Sequence, residues 1–294
     1  MVIRDGASMS KSQDSRFRSF AVMSILVLTV AASMAAQIDP LESSLINIAA
    51  ASEHAVLGVW YAKESDPGRF ATVVGSAFLI NADGYFVTAA DVLEPYQPAS
   101  ALTLMIKQRD TDSATAVHFD VVESDFQHGL ALCRVRPFVA RKLDPANPKQ
   151  TMLPISTLDV SSETLQPGEF VAIAGFPLGS WDAAIRFGNV AATRTVNPNM
   201  VSRGSLIQIS ASGNAGDIGG PVISLRTGKV VGVIVETFGV PALVPGTSHL
   251  EQFPMALQNP GIILATPASR IRDLLLRNHI TSQEHKPEEN LGVD

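Results

Sequence analysis

From residue 55 onward the chain is written in short apolar runs separated by turn signals. Residues 55–61, 72–80, 85–89, 101–106, 116–122 and 130–135 are rich in Val, Ile, Phe and Leu. Runs of this length, bounded by polar and glycine-containing breaks, predict strands rather than helices. The break Asn81-Ala82-Asp83-Gly84 is the clearest turn among them. A second series follows at residues 170–174, 190–195, 206–210, 222–225, 230–235 and 262–265. Each half of the chain thus carries six predicted strands. Two consecutive six-stranded antiparallel β-barrels are the economical arrangement, because closure removes exposed sheet edges. The expected class is all-β, with two short helices. Residues 41–51 have apolar positions at helical spacing, and residues 267–279 place Ile271, Leu274 and Leu275 on one face. The first barrel is expected over residues 50–142 and the second, with its closing helix, over residues 155–280. A polar, proline-containing linker at 143–154 joins them, and the polar tail at 281–294 reads as disordered.

The N-terminus follows a different pattern. Arg4, Lys11, Arg16 and Arg18 outweigh Asp5 and Asp14, and residues 19–38 carry no charge. Small residues follow the apolar stretch, and Ser33-Met34-Ala35 fits a cleavage site. Residues 1–35 therefore read as a secretory signal peptide. The alternative is an uncleaved anchor, since about 20 uncharged residues just span a bilayer. The product is expected in the periplasm or outside the cell, with a membrane tether if the signal is retained.

Composition narrows the function classes. The chain of 294 residues is 46% hydrophobic and 17% charged, with a formal net charge of −6. That balance argues against nucleic-acid binding. A single cysteine excludes an intramolecular disulfide and any multi-cysteine metal centre. Cys133 lies in the apolar run LALCRV and reads as a core residue.

Three stretches then occur in a telling order. The first is Gly75-Ser76-Ala77-Phe78-Leu79-Ile80, a hairpin, and Tyr85-Phe86-Val87-Thr88-Ala89-Ala90-Asp91. The second runs from Val121-Val122-Glu123-Ser124-Asp125 to Gly129-Leu130-Ala131-Leu132. The third is Gly216-Asp217-Ile218-Gly219-Gly220-Pro221. Together they resemble the trypsin-like serine proteases, particularly the bacterial HtrA/Deg group. Residues 170–179 (FVAIAGFPLG) and 187–190 (FGNV) resemble that group's second barrel. The similarity covers roughly residues 56–276 and ends before the peptide-binding PDZ domain that such proteases usually carry, so no PDZ domain is expected here.

The resemblance also implies where the catalytic groups should fall. The family's histidine base aligns with Asp91, its aspartate with Gly129 and its serine nucleophile with Ile218. All three positions are substituted. In the serine triad an imidazole takes the hydroxyl proton and returns it to the leaving amine. Ile218 has no nucleophilic atom, a carboxylate at position 91 is not the imidazole that this relay needs, and Gly129 has no side chain. The backbone of Gly216, Asp217 and Ile218 is expected to retain an oxyanion-hole-like turn, with a binding cleft near Gly219 and Gly220. Such a hole with binding alone leaves about 10³–10⁴-fold catalysis over water, negligible for amide hydrolysis.

Other residues offer no replacement. His128 precedes the vacant Gly129 position and should point away from the site if the segment is extended. His54, His118, His249 and His285 fall outside the family's catalytic positions, and no base is placed for Ser210 or Ser212. The spacing of Asp91, His128 and Asp217 does not demand a metal ion, and no metal or cofactor is expected. Asp217 is expected to cap local backbone amides. The proline-containing stretch 238–260 reads as a variable loop or an interaction surface.

The expected function is that of an exported, catalytically inactive protease homologue that binds a polypeptide or partner protein in the former substrate cleft. The alternative is an active secreted or periplasmic serine-type endopeptidase with an unconventional catalytic set. A structural module working through residues 238–260 is a third reading. The resemblance hints at an oligomer, but no oligomerisation signature is present.

Overall fold

The structure, a computed structural model, describes residues 40–61, 72–95, 102–107, 114–136, 156–195, 204–237, 240–241, 257–258 and 261–281. The leader at 1–35, the linker at 143–154, His249, His285, most of 238–260 and the tail beyond Thr281 lie outside these residues. The chain divides into residues 1–43 and 44–294, and the second unit holds both sheets.

The first sheet contains β1 (Val56–Tyr61), β2 (Thr72–Leu79), β3 (Tyr85–Ala89), β4 (Leu102–Lys107), β5 (Ala114–Val117), β6 (Phe119–Asp125) and β7 (Leu130–Val135). Its order is β5-β4-β1-β2-β3-β7-β6, and every pairing is antiparallel. It therefore has seven strands rather than the six expected. The apolar run at 116–122 is divided at His118, where the chain changes partner. β5 pairs with β4, whereas β6 pairs with β7. These are the two end strands of the sheet, joined through one residue, so the sheet curls back on itself as a barrel.

The second half follows as β8 (Phe170–Gly175), β9 (Ala184–Thr195), β10 (Leu206–Ser210), β11 (Pro221–Ser224) and β12 (Val230–Thr237). A short pair, β13 (Val240–Pro241) and β14 (Leu257–Gln258), precedes β15 (Ile262–Pro267). Six of these strands close into an antiparallel barrel in the order β10-β15-β12-β11-β8-β9. β9 begins six residues earlier than its apolar pattern suggests, because Ala184 to Asn189 pair residue by residue with β8.

The predicted helices form as α1 (Pro40–Ser52) and α3 (Ala268–Arg277), with the single turn α2 (Ala90–Leu93) between them. α3 buries Ile271, Leu274 and Leu275, the face expected from their spacing. No helix among the described residues is long and apolar enough to cross a membrane.

Two cores result. One fills the first barrel with Phe86, Leu79, Leu104, Phe119 and Cys133 and continues onto Leu206, Val235 and Leu264 of the second. The other lies inside the closed barrel around Ile173, Val190, Ile209 and Ile234. Each large side chain buried this way contributes about 1.5–3 kcal/mol. The shared apolar contact holds the two barrels face to face, and the candidate site lies along it.

Candidate functional site

The site forms where two turns of the first barrel meet one turn of the second. β3 runs directly into α2, so Asp91 stands one residue beyond the last paired backbone. The Ala90 amide donates to the Gly129 carbonyl at 2.9 Å, and Ala89 pairs with Leu130 in the β3–β7 ladder. Positions 91 and 129 are therefore neighbours across this pair. Gly129 has a φ of 69°, a left-handed conformation that favours glycine.

The third strand of the site is the turn after β10. A 3-10 turn (Ala215–Asp217) leads into Ile218, Gly219 and Gly220. The Ser76 amide donates to the Ile218 carbonyl at 2.7 Å. Gly219, at a φ of 90°, sits against β2 and β3. A Cβ there would lie 2.1 Å from the Ser76 carbonyl oxygen and 2.3 Å from Thr88 Oγ1. Only glycine fits this approach, which brings residue 218 against Gly75 and Ser76 of β2 and the end of β3, beside the turn α2 that carries Asp91. The three sequence-predicted positions converge in space.

The chemistry at that point is apolar. The Ile218 side chain is half-buried and packs against the first-barrel core. The turn also departs from the expected oxyanion-hole-like form. The Ile218 amide donates to the Ala215 carbonyl at 3.1 Å. That bond closes the 3-10 turn on itself, so the amide of residue 218 is directed inward and not toward the cleft. The physical reason is local: with Asp217 drawn into the interior, the tight turn satisfies its own amide.

Asp217 does cap its turn, accepting from the Asn214 amide at 2.7 Å. It has a partner that sequence reasoning missed. Arg186, on β9, donates from Nη1 to Asp217 Oδ2 at 2.8 Å and from Nη2 to Oδ1. The Asp217 side chain is 0% exposed and that of Arg186 is 19% exposed. A bidentate guanidinium–carboxylate pair is among the stronger charge-assisted contacts. Nothing in the spacing of two residues on separate elements announces it.

Ser76 is the second residue without a role in the sequence reading. Its buried hydroxyl donates to the Gly216 carbonyl at 2.7 Å and accepts from the Phe176 amide at 3.0 Å. Thr88 Oγ1 in turn donates to the Ser76 carbonyl at 2.7 Å. A Cβ at Gly216 would lie 2.1 Å from the Phe176 carbonyl oxygen. Ser76 thereby joins β2, the 3-10 turn at Ala215–Asp217 and the end of β8.

His128 is held on another side of the site. Its Nδ1 lies 2.9 and 3.0 Å from the two carboxylate oxygens of Asp125. The Asp125 Oδ2 also accepts from Arg277 of α3 at 2.8 Å, and Thr266 Oγ1 donates to the His128 carbonyl at 2.7 Å. The segment is a turn and not an extended strand, so strand alternation does not set the direction of this ring; the Asp125 carboxylate does. Burial pushes the Asp125 pKa upward, but the hydrogen bonds from His128 and Arg277 outweigh it and hold the carboxyl below its ordinary value. Asp217 and His128 thus have separate carboxylate or guanidinium partners, and they do not join Asp91 as one ligand set.

The family model for the trypsin-like peptidase domain matches residues 75–233. Serine protease HTRA1 of Xenopus tropicalis is 27% identical over 225 residues, covering 74% of this chain and 40% of that protein. A DegP-like periplasmic serine endoprotease of Pseudomonas putida is 30% identical over 173 residues, covering 59% of this chain and 31% of that protein. The chain thus spans less than half the length of these curated relatives. Among solved structures, the HtrA-type protease AlgW with a decapeptide superposes with a TM-score of 0.56 at 18% identity. It covers 79% of this chain and 67% of that one, a likeness of fold.

Proposed function

The chain belongs to the trypsin-like peptidase family, of the HtrA/DegP type, and from that premise we propose that it is an inactive member that binds polypeptide in the former substrate cleft. The observation that carries this reading is Ile218. It stands at the convergence of the three turns, packs on the core and offers no nucleophilic atom. Asp91 and Gly129 at the neighbouring positions supply neither an imidazole nor a carboxylate orienter. Catalysis by the triad route needs all three roles.

Polypeptide binding needs less. A protease of this fold holds an extended segment as an added strand, through main-chain hydrogen bonds and side-chain pockets. The sheet framework that makes this geometry does not depend on the reactive groups. The periplasmic location named for the DegP-like relative, together with the basic, then apolar, N-terminal segment, supports export of this chain. An alkaline phosphatase fusion after residue 60, active only when exported, tests that point.

The activity test compares the purified protein with the triple variant Asp91→His/Gly129→Asp/Ile218→Ser, using a fluorophosphonate probe and unfolded casein. The native chain should label and cleave nothing, yet bind the casein in an anisotropy titration. Turnover by the native chain that survives removal of contaminants would overturn the inactive reading and favour an unconventional endopeptidase. Absence of casein binding would overturn the polypeptide-binding role. Activity in the triple variant requires the Ile218 position to release its amide from Ala215, so that variant also reports whether the turn can reopen.

A further inference from the structure

The outer face of the closed barrel carries an aromatic pair. Phe170 opens β8 and Phe187 lies on β9, where Phe170 pairs with Asn189 and Ala172 with Phe187. The two phenylalanines are therefore diagonal neighbours on one face of the ladder. Their ring centroids are 5.2 Å apart. Alternation along β8 sends the next residue, Val171, into the barrel core. Phe170 is 53% exposed and Phe187 43%. Farther along the same face of β8, Ala172 and Ala174 are wholly buried. The face is thus covered at one end and open at the other. Single exposed apolar side chains are ordinary. Two half-exposed rings already in contact form a contiguous patch.

The rim of this patch carries both signs of charge. The Leu225 amide donates to the Phe170 carbonyl at 3.1 Å, which sets the next residue, Arg226, beside the start of β8. Arg226 donates from Nη2 to Glu163 Oε2 at 2.6 Å. Both side chains of that ion pair are open to water, at 61% and 45%. Little is lost when either charge of so exposed a pair changes partner.

These features select a partner. A bilayer would strip water from the rim carboxylate and guanidinium without replacing it. A wholly basic or wholly acidic surface would set one of the two rim charges against its like. A second copy of this chain brings the same rings and the same two signs. Docked through this face, Arg226 of each copy meets Glu163 of the other while the rings pack together. The chain carries a net charge of −6, so copies repel in general, and a face of balanced charge is where they can approach. We infer that the Phe170–Phe187 face is a self-association surface, which joins copies of this chain through an aromatic centre and an exchanged Arg226–Glu163 pair. Two half-exposed rings bury far less than the roughly 800 Å² per partner of a stable interface, so the association is reversible. The inference is independent of the polypeptide-binding reading.

Sedimentation velocity of the purified protein, from about 1 to about 100 μM, reads this association directly. The mean sedimentation coefficient is expected to rise with concentration. The double variant Phe170→Asp/Phe187→Asp, its fold checked by circular dichroism, should associate at least about 10-fold more weakly. Arg226→Glu, which sets two carboxylates together, should associate about 2- to 5-fold more weakly. The swapped variant Glu163→Arg/Arg226→Glu should associate with itself as the native chain does. Mixed with a fluorescently labelled native chain, it should associate more weakly than either does alone, because like charges then face each other across the contact. The inference is overturned if the native chain stays monomeric over the whole range, or if the double phenylalanine variant associates undiminished. Mixed association equal to self-association overturns the exchanged pair. A monomeric native chain whose casein binding falls in the double phenylalanine variant would assign the face to a foreign polypeptide, and overturns the inference as well.

Discussion

Two aspartates flank the converging turns, and they are held in parallel ways at different depths. Asp217 caps its own turn and is gripped by Arg186 from a distant strand. Asp125 caps its own turn, accepting from the His128 amide at 3.1 Å, and is gripped by Arg277 from a distant helix. The first clamp is sealed, with the carboxylate wholly covered. The second opens to solvent: the Arg277 side chain is 45% exposed, and the Asp125 side chain 9%. In the sealed clamp, removal of one charge strands the other in a medium that cannot solvate it. In the open clamp, water replaces much of what is lost. The turn carrying Ile218 is accordingly the fixed side of the site, and the turn carrying Gly129 is the side whose electrostatics solvent can reach.

The sharpest test of this contrast is Arg186→Met. It keeps much of the stem volume and removes the partner of Asp217. A loss of about 3–5 kcal/mol in chemical denaturation is expected, and a loss below about 1 kcal/mol would show that the clamp is not sealed. Ser76→Ala comes next. It removes the acceptor of the Phe176 amide and the donor to the Gly216 carbonyl. Leaving buried backbone groups unpaired should cost about 1–3 kcal/mol, with Ile218 amide exchange accelerated in a hydrogen-exchange experiment. Arg277→Gln should have the smallest effect, below about 1 kcal/mol at neutral pH.

That last variant has a pH signature. The folded pKa of Asp125 is lowered, so the unfolded chain holds the proton more tightly. Its contribution to stability is fully present above the unfolded carboxylate value of about 3.9 and is lost as pH falls below it, through the folded pKa. Denaturation midpoints measured through this acid range should fall less steeply for Arg277→Gln than for the native chain. An unchanged slope would remove Arg277 from the causes of the shift.

The elements were largely legible in the pattern of the chain, for a plain reason. A short apolar run such as residues 130–135 has one way to bury itself in a sheet, and it does so as β7. What the pattern could not show was a change of partner within one run, as at His118, or the early start of β9, where Arg186 and Asn189 interrupt the apolar signal. The site was legible as three positions and no further. Motif order brings Asp91, Gly129 and Ile218 together, but the direction of the Ile218 amide depends on a turn closed from inside. The role of Arg186 depends on a residue 31 positions away.

The one cysteine has a practical consequence. Cys133 is fully buried in the first-barrel core, and burial pushes its thiol pKa upward, away from the reactive thiolate. To reagents in solution the folded chain is therefore thiol-silent. A cysteine introduced at any exposed position becomes a single chemical address, where a crosslinker or spectroscopic label attaches without removing the native residue. Placed in turn along the cleft, such an address would allow that surface to be mapped by what it captures.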